Sequence, residues 1–233
     1  MFVTNTDPRE IVNIVHMLKF NSSKGNDDIT PSIIKDIICE IALPLTHIFN
    51  IFLQHDQFQD KLKLQELYPF INVTIKIINN YRPISIRPYF SKILERLMYS
   101  RLLNYLTVNK ILCDKQYGFR EGHSTDMTLL HMINDFTEGL HNKFFCIGIF
   151  IDLSKAFDTV DHKLLIRKLN HYGIRGTALQ WFIDYLTNLT KYFSINKINS
   201  TLAPNTCGIP HASILGPLLF LIFINDIVNT LDS

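Results

Sequence analysis

Apolar positions recur at helical spacing over residues 8–20, where Ile11, Ile14, Val15 and Leu18 share one face. Residues 31–54 read as helical segments broken near Pro44, since proline removes a backbone donor. Residues 67–78 are rich in β-branched side chains and predict a strand, followed by the Pro-punctuated extended stretch "NNYRPISIRP". A helix then starts at Ser91 as its cap and buries a stripe from Ile93, Leu94, Leu97 and Met98 to Leu102, Tyr105 and Leu106. Lys92, Arg96 and Arg101 lie away from the centre of that stripe. The loop "QYGFREGHST" leads into a helix over 125–140. The short Phe- and Ile-rich run from Phe144 to Ile151 predicts a buried strand.

Beyond it, Asp161 caps a helix running to about Tyr172 that Gly173 closes. Thr177 caps the next, which carries Leu179, Phe182, Ile183 and Leu186. "KYFSINKINSTLAPNTCGIP" reads as strand, turn and strand. Ser213, or Gly216 with Pro217 in the first turn, opens a last helix. Helices and strands mix without regular alternation, which predicts an α+β fold rather than a doubly wound sheet.

The chain has 233 residues, 47% of them hydrophobic and 19% charged, so a sizeable core is available and a disordered chain is excluded. Its net charge is only +2, yet the segment from Lys76 to Arg120 holds nine Lys/Arg against Glu95 and Asp114. Such a block suits a polyanionic partner or a solvated helix face. Cys39, Cys113, Cys146 and Cys207 are scattered without a CxxC pair, which suggests neither a zinc site nor a disulfide framework. The start "MFVTNTDPRE" has no apolar signal core, and the late apolar run 214–224 is shorter than a membrane span needs. The expectation is an intracellular protein, cytoplasmic or nuclear, with no membrane partner.

In "FFCIGIFIDLSKAFDTVDH" the apolar run stops at one carboxylate, Asp152, with Asp158 and Asp161 following. A carboxylate at the end of a strand suits a hard cation, and Mg²⁺ takes one or two carboxylates together with substrate phosphates. The local pattern equally suits an Asp152 that caps the next turn or pairs with Lys155.

"FIDLSKAFDTVDHKLL" resembles the first catalytic motif of the reverse transcriptases of non-LTR, LINE-type retrotransposons, jockey-like elements above all. The likeness continues through "SSKGNDDITPSIIK", "NNYRPISIRPYFSKILERLMYSRL", "QYGFREGHST" and "CGIPHASILGPLLFLIFINDI", in the family's order. It implies a right-hand polymerase fold, with fingers over 1–143 and an incomplete palm from 144 onward, the thumb absent. It implies an RNA template, a DNA primer, deoxynucleotides and Mg²⁺ or Mn²⁺.

Carried over by motif, Asp152 is the first metal-ligating, catalytic aspartate, and the Leu153 carbonyl is a further ligand beside the triphosphate. Phe157 stands where the family keeps an aromatic gate against a 2′-hydroxyl, though a plain core aromatic fits the same position. Asp158 and Asp161 are assigned structural roles, an ion pair and a helix cap. Arg82 matches a triphosphate contact, for which a guanidinium fork is suited. Arg96, Arg101 and Arg120 are candidates for template or primer backbone contacts.

The chain departs from the pattern in three places. Pro210-His211-Ala212 stands where the family has Pro-Gln-Gly on the nucleotide floor, so His211 and Ala212 change that surface. Only Lys76 stands where the family has a Lys-Lys-Gly turn. No Ala-Asp-Asp hairpin follows "INDI", and the adjacent pair Asp27-Asp28 sits in a polar loop. These departures predict a reverse transcriptase fragment without a full two-metal site, catalytically inert by itself, with RNA binding as the alternative role and activity regained if a downstream segment is restored. They also predict an open edge on the palm sheet.

Overall fold

A computed structural model describes residues 1, 3–18, 29–55, 60–71, 81–187, 189–195, 198–210 and 213–227. Helix α1 (Pro8–Met17) opens on an Asp7 cap whose side chain accepts from Glu10 N, and it buries Ile11, Ile14 and Val15 as its spacing predicted. Helix α2 (Pro31–Gln54) is continuous, contrary to the predicted break at Pro44. Pro44 and Glu40 both lie on the exposed face, so the carbonyl that Pro44 leaves unpaired faces water. The opposite face, from Ile34 and Ile38 to Phe49 and Leu53, packs into the core. By length and composition α2 is the one helix among the described residues apolar enough to cross a membrane, and 33% of its most apolar window is buried inside the fold.

A short α3 (Asp60–Lys63) leads into β1 (Leu64–Ile71), which pairs antiparallel with β2 (Tyr81–Ile86). β3 (Thr190–Ile195) runs parallel to β1, and the short β4 (Ile198–Asn199) and β5 (Ala203–Pro204) pair antiparallel with β3. The result is one five-stranded mixed sheet. It joins strands from either side of the 143/144 boundary expected between fingers and palm.

Helix α4 (Tyr89–Val108) is the central core element, with Ile93, Leu94, Leu97, Met98, Leu102 and Leu106 fully buried. Each such side chain contributes roughly 1.5–3 kcal/mol by leaving water. Its cap is Pro88, not Ser91; Ser91 is buried one turn inside, its hydroxyl 3.5 Å from Glu95. Helices α6 (His162–His171), α7 (Thr177–Leu186) and α8 (Gly216–Ile224) complete the core. Asp161 caps α6 as predicted, accepting from Leu164 N at 2.7 Å. Gly176, at a φ of +60°, occupies the cap expected of Thr177. Ser213 accepts from Gly216 N at 2.9 Å and Pro217 lies in the first turn of α8, so both expected start signals act together.

One buried ionic cluster ties these layers. Arg87, just past β2, donates to Glu95 of α4 and, at 3.1 Å, to the Tyr185 hydroxyl of α7. The other Glu95 oxygen accepts from Ile214 N, ahead of α8, at 2.8 Å. Burial works against the Arg87 charge, but Tyr185 and Glu95 outweigh it and hold the guanidinium protonated; burial pushes the Tyr185 hydroxyl well above its usual range.

Helix α5 (Thr125–His141) contrasts with the rest. It is capped by Ser124 and buries no residue. The chain then turns back along it: Phe144 N donates to Gly139 O at 2.8 Å, and Cys146 Sγ lies 3.9 Å from Phe136 O. The buried strand expected over 144–151 is not formed. The segment has no ladder partner among the described residues, and Phe145, Ile147, Ile149, Phe150 and Ile151 are all more than 70% exposed. A strand is held by neighbours on its edges and faces, and the strands of the sheet lie elsewhere. The open edge expected on a palm sheet is therefore not found at this segment, which forms no strand.

Two outcomes follow for stability and association. Glu95→Ala leaves Arg87 charged and buried without its partner, a loss of about 3–5 kcal/mol in urea unfolding; a loss within experimental error contradicts the role given to this pair. Ile147→Lys with Ile149→Lys reduces self-association by light scattering, as charge does on an open apolar edge; unchanged aggregation contradicts it.

Candidate nucleotide and nucleic-acid site

The turn after Asp152 is built by backbone bonds. Lys155 adopts a left-handed φ of +55°, and its carbonyl accepts from Asp158 N at 2.8 Å and Thr159 N at 3.2 Å. The segment 207–210 is stitched to this turn. Gly208 N donates to Val160 O and Ile209 N to Phe157 O, both at 2.8 Å, while His162 Nε2 donates to Gly208 O at 2.7 Å. A Cβ on Gly208 would stand within 3.0 Å of the Asp158 backbone, and φ there is +83°. Only glycine fits that approach. Gly208 and His162 thus join the first and second motifs, and the lone signal in the sequence was the glycine itself.

Phe157 is half-buried. Its ring stacks on Phe220 at 4.6 Å between centroids and meets the edge of Phe119 at 5.6 Å. Phe119 is itself 57% exposed and held at a left-handed φ of +58°. Asp152 and Leu153 are exposed at the end of the unpaired segment. Among the described residues no three His, Cys, Asp or Glu side chains gather into a metal site. One carboxylate does not hold two ions, so the described residues by themselves do not fit a two-metal centre. His211 and Ala212 lie outside the described residues, as do Lys76 and the Asp27-Asp28 pair. Arg82 stands opposite Phe70 in the β1–β2 ladder, and its side chain is outside the described set.

The basic block divides. Arg87 is consumed in the buried cluster. Arg101, a candidate nucleic-acid contact by motif, grips both Glu10 oxygens, at 2.9 and 3.0 Å, and donates to Thr4 O and Leu97 O, which pins α1 to α4. Arg96 stacks over the Tyr99 ring at 5.0 Å and borders a surface groove along α4. Arg120 lies on an adjoining cavity of about 600 Å³ with Tyr99, Lys110 and Phe119, and it also donates to Cys113 O at 2.7 Å. Asp114 and Glu121 line the same cavity and balance Lys110 and Arg120, so its lining carries no net charge. Phe119 connects this groove to Phe157.

The family model described as reverse transcriptase (RNA-dependent DNA polymerase) matches residues 73–233, more than half of the chain. The chain belongs to the reverse transcriptase family. It is 31% identical over 229 residues to a probable RNA-directed DNA polymerase from transposon BS of Drosophila melanogaster, covering 94% of this chain and 24% of that protein. It is 30% identical over 223 residues to the RNA-directed DNA polymerase from mobile element jockey of the same species, covering 93% and 24%. To a probable RNA-directed DNA polymerase from transposon X-element it is 28% identical over 228 residues, covering 97% and 25%. The resemblance to non-LTR retrotransposon reverse transcriptases thus holds over nearly the whole chain. This reverse transcriptase domain spans about a quarter of the length of those relatives.

The division of arginines is testable. Arg101→Gln lowers the unfolding midpoint and leaves RNA affinity per folded molecule unchanged, whereas Arg96→Gln weakens RNA binding with little change in stability. Filter binding beside thermal melts reads both; the reverse pattern overturns the assignment.

Proposed function

We propose that the chain supplies the fingers, over 1–143, and the first part of the palm, from 144 onward, of an RNA-directed DNA polymerase. In this reading Asp152 is a catalytic carboxylate and ligand for Mg²⁺ or Mn²⁺, with the Leu153 carbonyl beside it. Arg82 faces the triphosphate, Phe157 discriminates against a 2′-hydroxyl, and His211 and Ala212 floor the nucleotide site. The reaction joins a primer 3′-hydroxyl to the α-phosphate of a deoxynucleotide on an RNA template, and pyrophosphate leaves. Holding the two reacting groups in line supplies much of the rate. The expected setting is intracellular.

The observation that carries the reading is the aromatic column Phe119–Phe157–Phe220, locked to the 207–210 segment by backbone bonds. It puts Phe157 on a rigid floor at the meeting point of the two motifs. By contrast Asp152 stands exposed, and no group of three or more His, Cys, Asp or Glu side chains that could hold a metal gathers among the described residues. The 233-residue polypeptide alone is therefore inert in primer extension. A nucleic-acid-binding role is favoured by the groove that Arg96, Lys110 and Arg120 border, with Tyr99 and Phe119 available for base stacking.

With RNA template, annealed primer, deoxynucleotides and Mg²⁺ or Mn²⁺, the chain is expected to give no extension above background. Extension that disappears in Asp152→Ala sinks the claim of inertness. RNA affinity is expected to fall with salt, each phosphate contact adding about 0.7 to the log–log slope on a single strand. A slope near zero removes the binding role.

A further inference from the structure

Helix α2 carries two apolar faces. One sets Ile34, Ile38, Leu45, Phe49 and Leu53 in the core. The other points outward and consists of Ile33, Ile37, Pro44, Ile48 and Ile51, with Ile41 half-buried at its margin. The four outward isoleucines are 39–51% exposed. A helix on the surface of a single folded unit ordinarily turns polar residues to water. This outer stripe is ordered as well as apolar. From Ile37 through Ile41, Pro44 and Ile48 to Ile51 the steps are four, three, four and three residues. That is the 3.5-residue period of a seam between two helices. Exposed Glu40, His47 and Gln54 recur at heptad spacing and form a polar row along one border of the stripe.

The stripe also reads alike in both directions. About the point between Ala42 and Leu43, Ile41 mirrors Pro44 and Ile37 mirrors Ile48, while Ile33 comes within one residue of mirroring Ile51. A two-fold interface brings each position onto its counterpart in the copy and the counterpart onto it, so a mirrored pattern is self-complementary. Laid antiparallel on itself over about 36 Å, α2 sets Ile37 against Ile48 and Ile41 against Pro44 at both ends. The polar row obeys the same operation. Glu40 comes opposite His47 of the second copy, and His47 opposite its Glu40, so a carboxylate meets an imidazole twice. A parallel pair gives no such match. We infer that the outer face of α2 is a self-docking surface, on which a second copy of this chain lies antiparallel about a two-fold axis. A lipid surface would accept the isoleucines, but it gives no reason for the mirrored spacing or for the Glu40–His47 match. The surface is separate from the exposed 144–151 run and from the groove along α4, so it stands whether or not the chain polymerises.

The test uses the whole chain bearing Ile147→Lys and Ile149→Lys, so that association through the 144–151 run does not contribute. Sedimentation velocity is expected to show a concentration-dependent equilibrium between monomer and dimer. Ile37→Lys, at an exposed helix position, is expected to weaken dimerisation at least tenfold with unchanged far-ultraviolet circular dichroism. Glu40→Lys and His47→Glu are each expected to weaken it several-fold, and the chain with both recovers it, because the facing charges are then exchanged. Register is read from disulfides in molecules that also carry Cys39→Ser. A mixture of Ile37→Cys and Ile48→Cys chains is expected to oxidise to a bond between positions 37 and 48, identified by peptide mass spectrometry. Ile37→Cys alone gives no bond at that position, because the antiparallel register sets the two copies of it about 16 Å apart along the axis. A monomer at every concentration, unchanged dimerisation in Ile37→Lys, no recovery on exchanging the charges, or a bond between two copies of position 37 overturns the inference. So does flotation of a monomeric chain with phosphatidylcholine vesicles that is lost in Ile37→Lys, which gives the face to a bilayer.

Discussion

The Arg87–Glu95 pair is the constraint on which the arrangement depends. Both side chains are at most 2% exposed, and each reaches a different layer. Arg87 comes from the end of β2, Glu95 from the middle of α4; Tyr185 adds α7, and Ile214 N adds the segment before α8. Two charges taken out of water cost several kcal/mol each; the Glu95 bond, the Tyr185 hydroxyl and Ile214 N offset part of that cost, while Arg87 Nε and Nη2 stay buried without a partner. Four parts of the chain are thereby held in one orientation, including the segment just before α8. Hydrophobic burial around α4 supplies most of the stabilisation, but apolar contacts alone tolerate sliding. The ionic cluster sets which way the layers face.

A second tier of constraints works at the site. Gly208 lets two motifs about fifty residues apart in the chain touch backbone to backbone, and His162 closes the joint with a ring nitrogen on the Gly208 carbonyl. The Phe157 ring then has a fixed floor in Phe220 and an edge contact in Phe119. The region bearing Asp152 has no comparable support. Phe157 is packed against two rings while Asp152 is exposed. The sheet gathers β1, β2 and β3, and none of its strands lies beside 144–151.

Much of this was legible in advance. The helix faces of α1 and α4, the Asp161 cap and the Pro217 start of α8 are local, set by spacing and by single cap chemistries. The family was legible too, because its motifs occur in order along the chain. Pro44 misled the reading of α2, since a proline break depends on whether the freed carbonyl meets solvent. Ser91 misled the start of α4, since its hydroxyl is used inside the core instead. Arg101 looked like its neighbour Arg96; only the position of Glu10, ninety-one residues away, makes it an internal tether.

By itself, the order of residues determined the apolar stripes, the helix caps and membership of the reverse transcriptase family, because each is written in spacings of a few residues or in the succession of short motifs. Tertiary structure alone decided which arginines remain free, whether the Phe144–Ile151 run finds a partner, and that one apolar face of α2 is left outward. Those outcomes turn on contacts between residues distant in the chain, where charge pairing, strand pairing and burial are settled by what the fold places alongside.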